Sequence, residues 1–118
     1  MIATLTLTVH PQFHAKMEAL SQAVADACGV EERDLHPDGN RTKETLFARA
    51  MAMRVIRHRL PFLGWRSISD YFGLRNESDS GRIVRRLIES SQYNTTVRDA
   101  LRTIDSVIAE RVPLDDEA

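Results

Sequence analysis

The sequence has little of what disulfide or membrane-spanning proteins require. It contains a single cysteine, Cys28, which cannot form an internal disulfide, and its apolar neighbours indicate a small core residue in a reducing compartment. No stretch reaches the roughly 18 consecutive apolar residues of a membrane helix. The first residues carry neither a basic segment nor a long apolar one. We therefore expect a cytoplasmic protein without a membrane span.

Motifs of enzymes and of metal sites are also missing. There is no G-x-x-x-x-G-K-[ST] phosphate loop, and no serine, histidine and acid triplet can be recognised from spacing. His10 and His14 have the i, i+4 spacing of two metal ligands, but Cys28, His36 and His58 form no evident set with them. The sequence thus predicts no enzyme, no metal site, no cofactor and no small-molecule substrate.

Positive charge is concentrated in the middle of the chain, although the net charge is only −1. Residues 1–40 hold two basic and six acidic residues, and residues 87–118 hold three and seven, so each end has a charge of −4. Residues 41–86 hold eleven basic residues, ten of them arginine, and four acidic ones, a charge of +7. Because the arginine fork suits phosphates and guanine edges, this segregation favours an anionic polymer as partner. A solvated helix surface is the alternative.

Hydrophobic periodicity predicts an all-α fold of about five helices in a single domain. The first helix has Pro11 in its first turn and is stopped by Gly29, and the loop of residues 30–40 has room for one helical turn. Thr42 is the expected cap of a long helix that ends near Arg59. The expected inward stripe of this helix consists of Leu46, Ala50, Met53, Ile56 and Leu60.

A short helix, a glycine turn and a longer helix follow in the sequence. The short helix covers residues 65–72, and Gly73 is expected to end it in the left-handed conformation that glycine adopts at low cost. The next helix begins near Ser78, and a last helix, capped by Asn94 or Thr95, ends before Pro113. The expected inward residues outside the long helix are Phe13, Met17, Leu20, Val24 and Ala27 of the first helix, then Trp65, Ile68 and Phe72, then Ile83, Val84, Leu87 and Ile88, then Val97, Leu101, Ile104 and Ile108.

The sequence also predicts separate structural segments at the two ends of the domain. Polar and apolar residues alternate from Thr4 to Val9, which predicts a short extended arm that could pair with a second copy; a frayed terminus is the alternative. We expect an arm and first helix in residues 1–30, a helix-turn-helix core in residues 31–92 and a last helix in residues 93–112. Residues 113–118 form an acidic tail that we expect to be disordered.

The short helix, turn and longer helix have the pattern of a helix-turn-helix, in which the first helix holds the second in the major groove of DNA. The run from Val24 to Glu89 resembles the C-terminal DNA-binding domain of the bacterial replication initiator DnaA, in the Trp-repressor-like helical superfamily. Two motifs carry the resemblance, Ala48-Arg49-Ala50-Met51-Ala52-Met53 in the long helix and Ile68-Ser69-Asp70-Tyr71-Phe72-Gly73 before the turn.

The resemblance implies roles for several basic residues. In the family, the arginine at the position of Arg49 reaches into the minor groove, and an arginine in the turn corresponds to Arg75. Two basic residues of the recognition helix correspond to Arg85 and Arg86. A basic loop that meets the DNA backbone corresponds to Arg41 and Lys43. The loop from Arg59 to Gly64 is about one residue longer than usual in the family.

The chain departs from the family after the turn. The family has Asp-His-Thr or Ser-Thr-Val as base-reading residues, whereas this sequence has Asn76-Glu77-Ser78-Asp79-Ser80, and Leu74 replaces a second glycine. An acidic side chain can accept a hydrogen bond from cytosine N4, so a different target sequence is expected. Ser78 and Asp79 can also act as caps of the helix N-terminus.

We therefore predict sequence-specific double-stranded DNA binding by a stand-alone, nucleoid-associated regulator of transcription or replication. A homodimer through the N-terminal arm and the terminal helices would read two half-sites. The predicted DNA contacts are Arg41, Lys43, Arg49, Arg66, Arg75, Asn76, Ser78, Ser80, Arg82, Arg85 and Arg86. The alternative is a protein-interaction adaptor on the same scaffold that lost DNA reading through Glu77 and Asp79.

Overall fold

A computed structural model describes residues 11–74, 76–91 and 95–111, and these residues form five α-helices and one short 3₁₀ helix. The α-helices are α1 (Pro11–Cys28), α2 (Lys43–Arg59), α3 (Trp65–Tyr71), α4 (Glu77–Ser91) and α5 (Thr95–Arg111), and the 3₁₀ helix is Glu32–Leu35. The all-α prediction is confirmed. None of the helices in this described part has the length and apolar character of a membrane span. The arm from Thr4 to Val9, Asn94 and the acidic tail lie outside the described residues.

Helix α2 lies at the centre of the fold because it is apolar on most of its sides. It packs against α1, α3, α4 and the 3₁₀ helix. Thr42 begins it, as predicted: the hydroxyl of Thr42 accepts from the Thr45 N–H at 3.1 Å, and the hydroxyl of Thr45 accepts from the Thr42 N–H at 2.8 Å. The buried apolar residues of this helix are Ala48, Ala50, Met51, Ala52, Met53, Val55 and Ile56.

Some residues of the predicted inward stripes are less buried than expected. Leu46, in the first turn of α2, is 43 % exposed. Ile88 is 38 % exposed, at the margin of the buried face of α4. Three further residues of the stripes are only partly buried, and these are Trp65, Ile83 and Leu101.

Most of the other predicted core positions are confirmed. In α1, Met17, Leu20 and Val24 are buried, where this helix packs against α2 and α5, whereas Phe13 and Ala27 are only partly buried. The buried residues of the remaining helices are Ile68 and Phe72, Val84 and Leu87, then Val97, Ile104 and Ile108. Two predicted helix ends are also confirmed, because Gly29 follows α1 with φ 74° and Gly73 follows α3 with φ 71°.

The 3₁₀ helix is joined to α1 and α3 through one carboxylate. Glu32 Oε2 accepts hydrogen bonds from Ser21 Oγ at 2.8 Å, from Tyr71 Oη at 2.9 Å, and pairs with His36 Nε2 at 2.8 Å. Ser21 belongs to α1 and Tyr71 to α3, so the Glu32 carboxylate ties three elements together. Burial raises the pKa of this carboxyl, but the hydrogen bonds outweigh burial and the pKa lies below its ordinary value.

We predict that Glu32→Gln destabilises the fold at neutral pH, by about 1–3 kcal/mol, because the three donors lose a charged acceptor. The folded-state pKa of Glu32 is lowered, so its contribution is present above the unfolded-state pKa of about 4.3 and is lost as the pH falls through the folded-state pKa. The free energy of unfolding in urea should therefore be lower than that of wild type at neutral pH, and this difference should narrow as the pH falls through the folded-state pKa of Glu32. Glu31→Gln, at an exposed neighbour, is the control, and an equal loss there would contradict the assignment.

Candidate nucleic-acid interface

The turn between α3 and α4 is built around Ser69. Its carbonyl oxygen accepts from the Leu74 N–H at 2.8 Å, and its hydroxyl donates to the carbonyl of Asn76 at 3.3 Å. The hydroxyls of Ser69 and Ser80 are 2.6 Å apart, and both residues are at most 1 % exposed. With the Ser69 proton directed to Asn76, the Ser80 hydroxyl is the donor to Ser69. A chain of hydrogen bonds therefore runs from α4 through α3 to the turn.

The prediction that Ser80 contacts DNA is wrong. Its side chain is fully buried between α3 and α4, and its hydroxyl is engaged by Ser69. The positioning role of Ser69 was missed altogether. The available signal was the helical spacing of Ser80, Val84 and Leu87, which places the serine on the apolar face of α4.

Gly73 allows the loop before α2 to lie directly on this turn. A Cβ atom at Gly73 would lie 2.3 Å from Pro37 Cγ, and the positive φ of this residue also favours glycine. Next to it, the rings of His36 and Phe72 stack with their centroids 5.6 Å apart. The same His36 binds Glu32, so the Glu32 carboxylate also supports the turn.

The outer face of α4 carries three arginines and one exposed acidic residue, Glu89, while Val84 and Leu87 on its inner face are buried. Arg82, Arg85 and Arg86 are exposed, and the helical repeat places them within about 100° of one another around the helix. Arg85 and Arg86 form no salt bridge with any residue that the structure describes. The second helix of the helix-turn-helix thus presents three guanidinium groups on one outward face.

An acidic side chain near the start of α4 is paired within this face. Asp79 Oδ1 lies 3.0 Å from Arg82 Nη2, at i, i+3 spacing. The Asp79 side chain is 28 % exposed, against 59 % for Arg82, so the carboxylate lies lower on the surface than the guanidinium. The carboxylate is therefore neutralised locally and leaves other N–H donors of Arg82 facing outward.

Arg49 is half-buried and lacks an acidic partner. Its Nε is buried and has no hydrogen-bond partner. Burial lowers the pKa of the Arg49 guanidinium, and the positive charge of Arg41 lowers it further. Neither arginine forms a salt bridge within the described part of the chain. The fold thus leaves the Arg49 cation partly desolvated without a salt bridge to compensate it.

Other arginines of the basic segment have structural contacts. Arg57 Nη1 donates to the carbonyls of Pro61 and Leu63, at 2.8 and 3.0 Å, and its guanidinium lies 5.1 Å from the ring centroid of Trp65. Arg57 therefore holds the loop between α2 and α3. Arg59 forms a salt bridge of 3.5 Å with an aspartate of α5. The sequence did not distinguish these arginines from the exposed ones.

The remaining predicted site residues are solvent-exposed, except for one that lies outside the residues that the structure describes. The exposed ones are Lys43, Arg66, Asn76 and Ser78. Arg75 lies outside the described residues, as does His10 of the histidine pair considered above. The ring of His14 contacts the ring of Tyr71, with centroids 5.4 Å apart.

Fold and surface together define an all-α domain with a helix-turn-helix whose second helix is arginine-rich outside. Comparisons with protein-family models, with curated proteins and with solved structures find no match. The similarity to DnaA therefore rests on the sequence motifs alone.

We predict that Ser69→Ala lowers the free energy of unfolding by about 1–3 kcal/mol, because it leaves the buried Ser80 hydroxyl without its acceptor and removes one of the two hydrogen bonds to the Asn76 carbonyl, which keeps the Asp79 N–H. Ser67→Ala, in the same helix, should stay within about 0.5 kcal/mol of wild type. Urea denaturation of both variants is the measurement. Equal stabilities of the two variants would contradict a hydrogen-bond chain through Ser69.

Proposed function

We propose that this protein binds double-stranded DNA sequence-specifically through its helix-turn-helix, as a stand-alone regulator of transcription or replication. The observation that supports this most is the half-buried Arg49 guanidinium, whose Nε has no hydrogen-bond partner and which forms no salt bridge with any described residue. Partial burial of this cation costs free energy, and the positive charge of Arg41 adds to that cost. A phosphate or the negative potential of a DNA groove would relieve both costs.

The proposed DNA contacts differ in the part of the DNA that each residue binds. In this proposal α4 lies in the major groove with Arg82 directed to base edges, and Arg85 and Arg86 hold phosphates. Arg49 enters the minor groove, as the resemblance to DnaA implies, and Arg41 meets the adjacent backbone. The other proposed contacts are Lys43, Arg66, Arg75, Asn76 and Ser78.

Base reading requires a helix that is held in a fixed position. The hydrogen-bond chain from Ser80 through Ser69 to Asn76 fixes the first turns of α4 against α3. Because a buried and fully satisfied polar network restricts the packing to one arrangement, it supports a specific reader of DNA.

The adaptor alternative rests on repulsion between acidic residues and phosphates. Asp79 is paired with Arg82 at 3.0 Å, so its charge is compensated within the protein. Such a pair has the donors and acceptor of a G·C reader, since arginine binds guanine O6 and N7 and a carboxylate accepts from cytosine N4. This contact favours a DNA-binding role over the adaptor.

The proposal also covers the cellular location and the oligomeric state of the protein. A nucleoid-associated protein in the cytoplasm would meet the genome directly, and a homodimer through the arm and terminal helices would read two half-sites. Two half-sites would compensate for the modest affinity that one small domain provides.

We predict that the affinity for duplex DNA falls steeply with salt, with a slope in log–log form of about 0.9 for each phosphate contacted. Arg85→Ala should reduce that slope by about one, because it removes one phosphate contact. Fluorescence anisotropy with random and genomic duplexes at several salt concentrations measures both quantities.

Arg33→Ala is the matched control, since Arg33 is an exposed arginine of the 3₁₀ helix, outside both the proposed DNA contacts and the proposed dimer surface. Its salt slope should equal that of wild type. The adaptor hypothesis predicts no salt-dependent duplex binding by any of these proteins, and that result would contradict the proposed function.

We predict that Asp79→Asn relaxes the choice of base at one position of the target site, because Arg82 loses the carboxylate that orients it. A selection of bound sequences from a random pool gives the target of wild type, and the variant should lose about 1–3 kcal/mol of discrimination at a single G·C pair. If Asp79 only repels phosphates, the variant will instead bind every sequence more tightly with unchanged preferences.

A further inference from the structure

A small cavity lies between α2 and α5, away from the contacts considered so far. Both helices pack against α1 and α4, but they pack only loosely against each other. The cavity has a volume of about 170 Å³. Its lining residues are Arg54, Val55, His58 and Arg59 from α2 and Leu101 and Asp105 from α5.

The two sides of this cavity differ in polarity. Val55 is buried and Leu101 is half-buried, so together they provide an apolar wall. Arg54 and His58 are one helical turn apart on the same side of α2, and both carry N–H donors. The cavity therefore combines an apolar wall with a row of donors.

The charges at the cavity are not balanced. Arg59 is the one arginine here with an acidic partner, Asp105, at 3.5 Å. Arg54 forms no salt bridge with any described residue, although it is partly buried. The lining holds two guanidinium groups and one carboxylate, so these three groups carry a net charge of +1.

We infer that this cavity binds a small organic carboxylate, with the carboxylate on Arg54 and His58 and the apolar part against Val55 and Leu101. One uncompensated guanidinium matches a monoanion, and the planar fork of arginine binds a carboxylate through two parallel hydrogen bonds. The volume corresponds to about five or six water molecules, which limits the ligand to a short aliphatic chain or one ring. A bound ligand bridges α2 and α5 and so stabilises the folded state.

The site is separate from the proposed DNA contacts. No residue of the cavity is among them, and the inference holds whether or not the protein binds DNA. A phosphodiester is the competing occupant of Arg54, and the experiment below distinguishes it from a small carboxylate.

The test is an NMR titration of the full chain with butyrate and benzoate, compared with butyramide and benzamide, which have the same shapes without charge. We expect saturable shifts of Val55 and Leu101 with the carboxylates and affinities weaker by about tenfold or more with the amides. Arg54→Gln should weaken carboxylate binding by at least about tenfold, whereas Arg98→Gln, on an exposed part of α5, should leave it unchanged.

Three results would overturn the inference: equal binding of carboxylates and amides, shifts that do not saturate, or an Arg54→Gln variant that binds as well as wild type. The folded state of each variant is checked by its amide spectrum before the titration. If Arg54→Gln reduces the salt slope of duplex binding by about one, Arg54 contacts DNA and the carboxylate site is refuted. Absence of duplex binding by wild type would refute the proposed function and leave the titration result standing.

Discussion

The hydrogen-bond chain from Ser80 through Ser69 to the Asn76 carbonyl is the constraint on which the rest of the structure depends. It fixes the start of α4 against α3, and therefore sets the direction in which the outer face of α4 points. The loop before α2 supports the same turn from the other side, since Pro37 lies against Gly73. A helix that was free to rotate would spread its arginines over many orientations, whereas this one holds them in a single direction.

The arginines of the basic segment fall into groups with different physical environments. Arg57 donates hydrogen bonds to two carbonyl oxygens of the loop between α2 and α3. Arg59 forms a salt bridge with Asp105 of α5. Arg85 and Arg86 remain exposed without salt bridges among the described residues, and Arg49 remains half-buried with its Nε unpartnered. Cations without an acidic partner in the protein are available to an anion, which is why we propose these residues as DNA contacts.

Local signals in the sequence predicted the helices well and the partners of side chains less well. The cap at Thr42 and the glycine at position 73 depend on the backbone within a few residues, so their types and spacing were sufficient. The exposure of Leu46 depends on how far neighbouring helices extend, and the burial of Ser80 depends on which helix covers it. Likewise, the sequence showed a row of arginines, but only the packing of the loop distinguishes Arg57 from the exposed ones.

The most direct test of this account follows the Nε–H resonance of Arg49 by NMR while duplex DNA is added to the isotope-labelled protein. This N–H has no protein partner and belongs to a half-buried guanidinium, so its resonance reports on an anion that binds the other N–H groups of Arg49. We expect a large shift of this resonance together with shifts at the start of α4, while the Nε–H of Arg57, whose guanidinium is bound to its loop, stays in place. Shifts confined to α5, or an unchanged Arg49 signal in the presence of bound duplex, would contradict it.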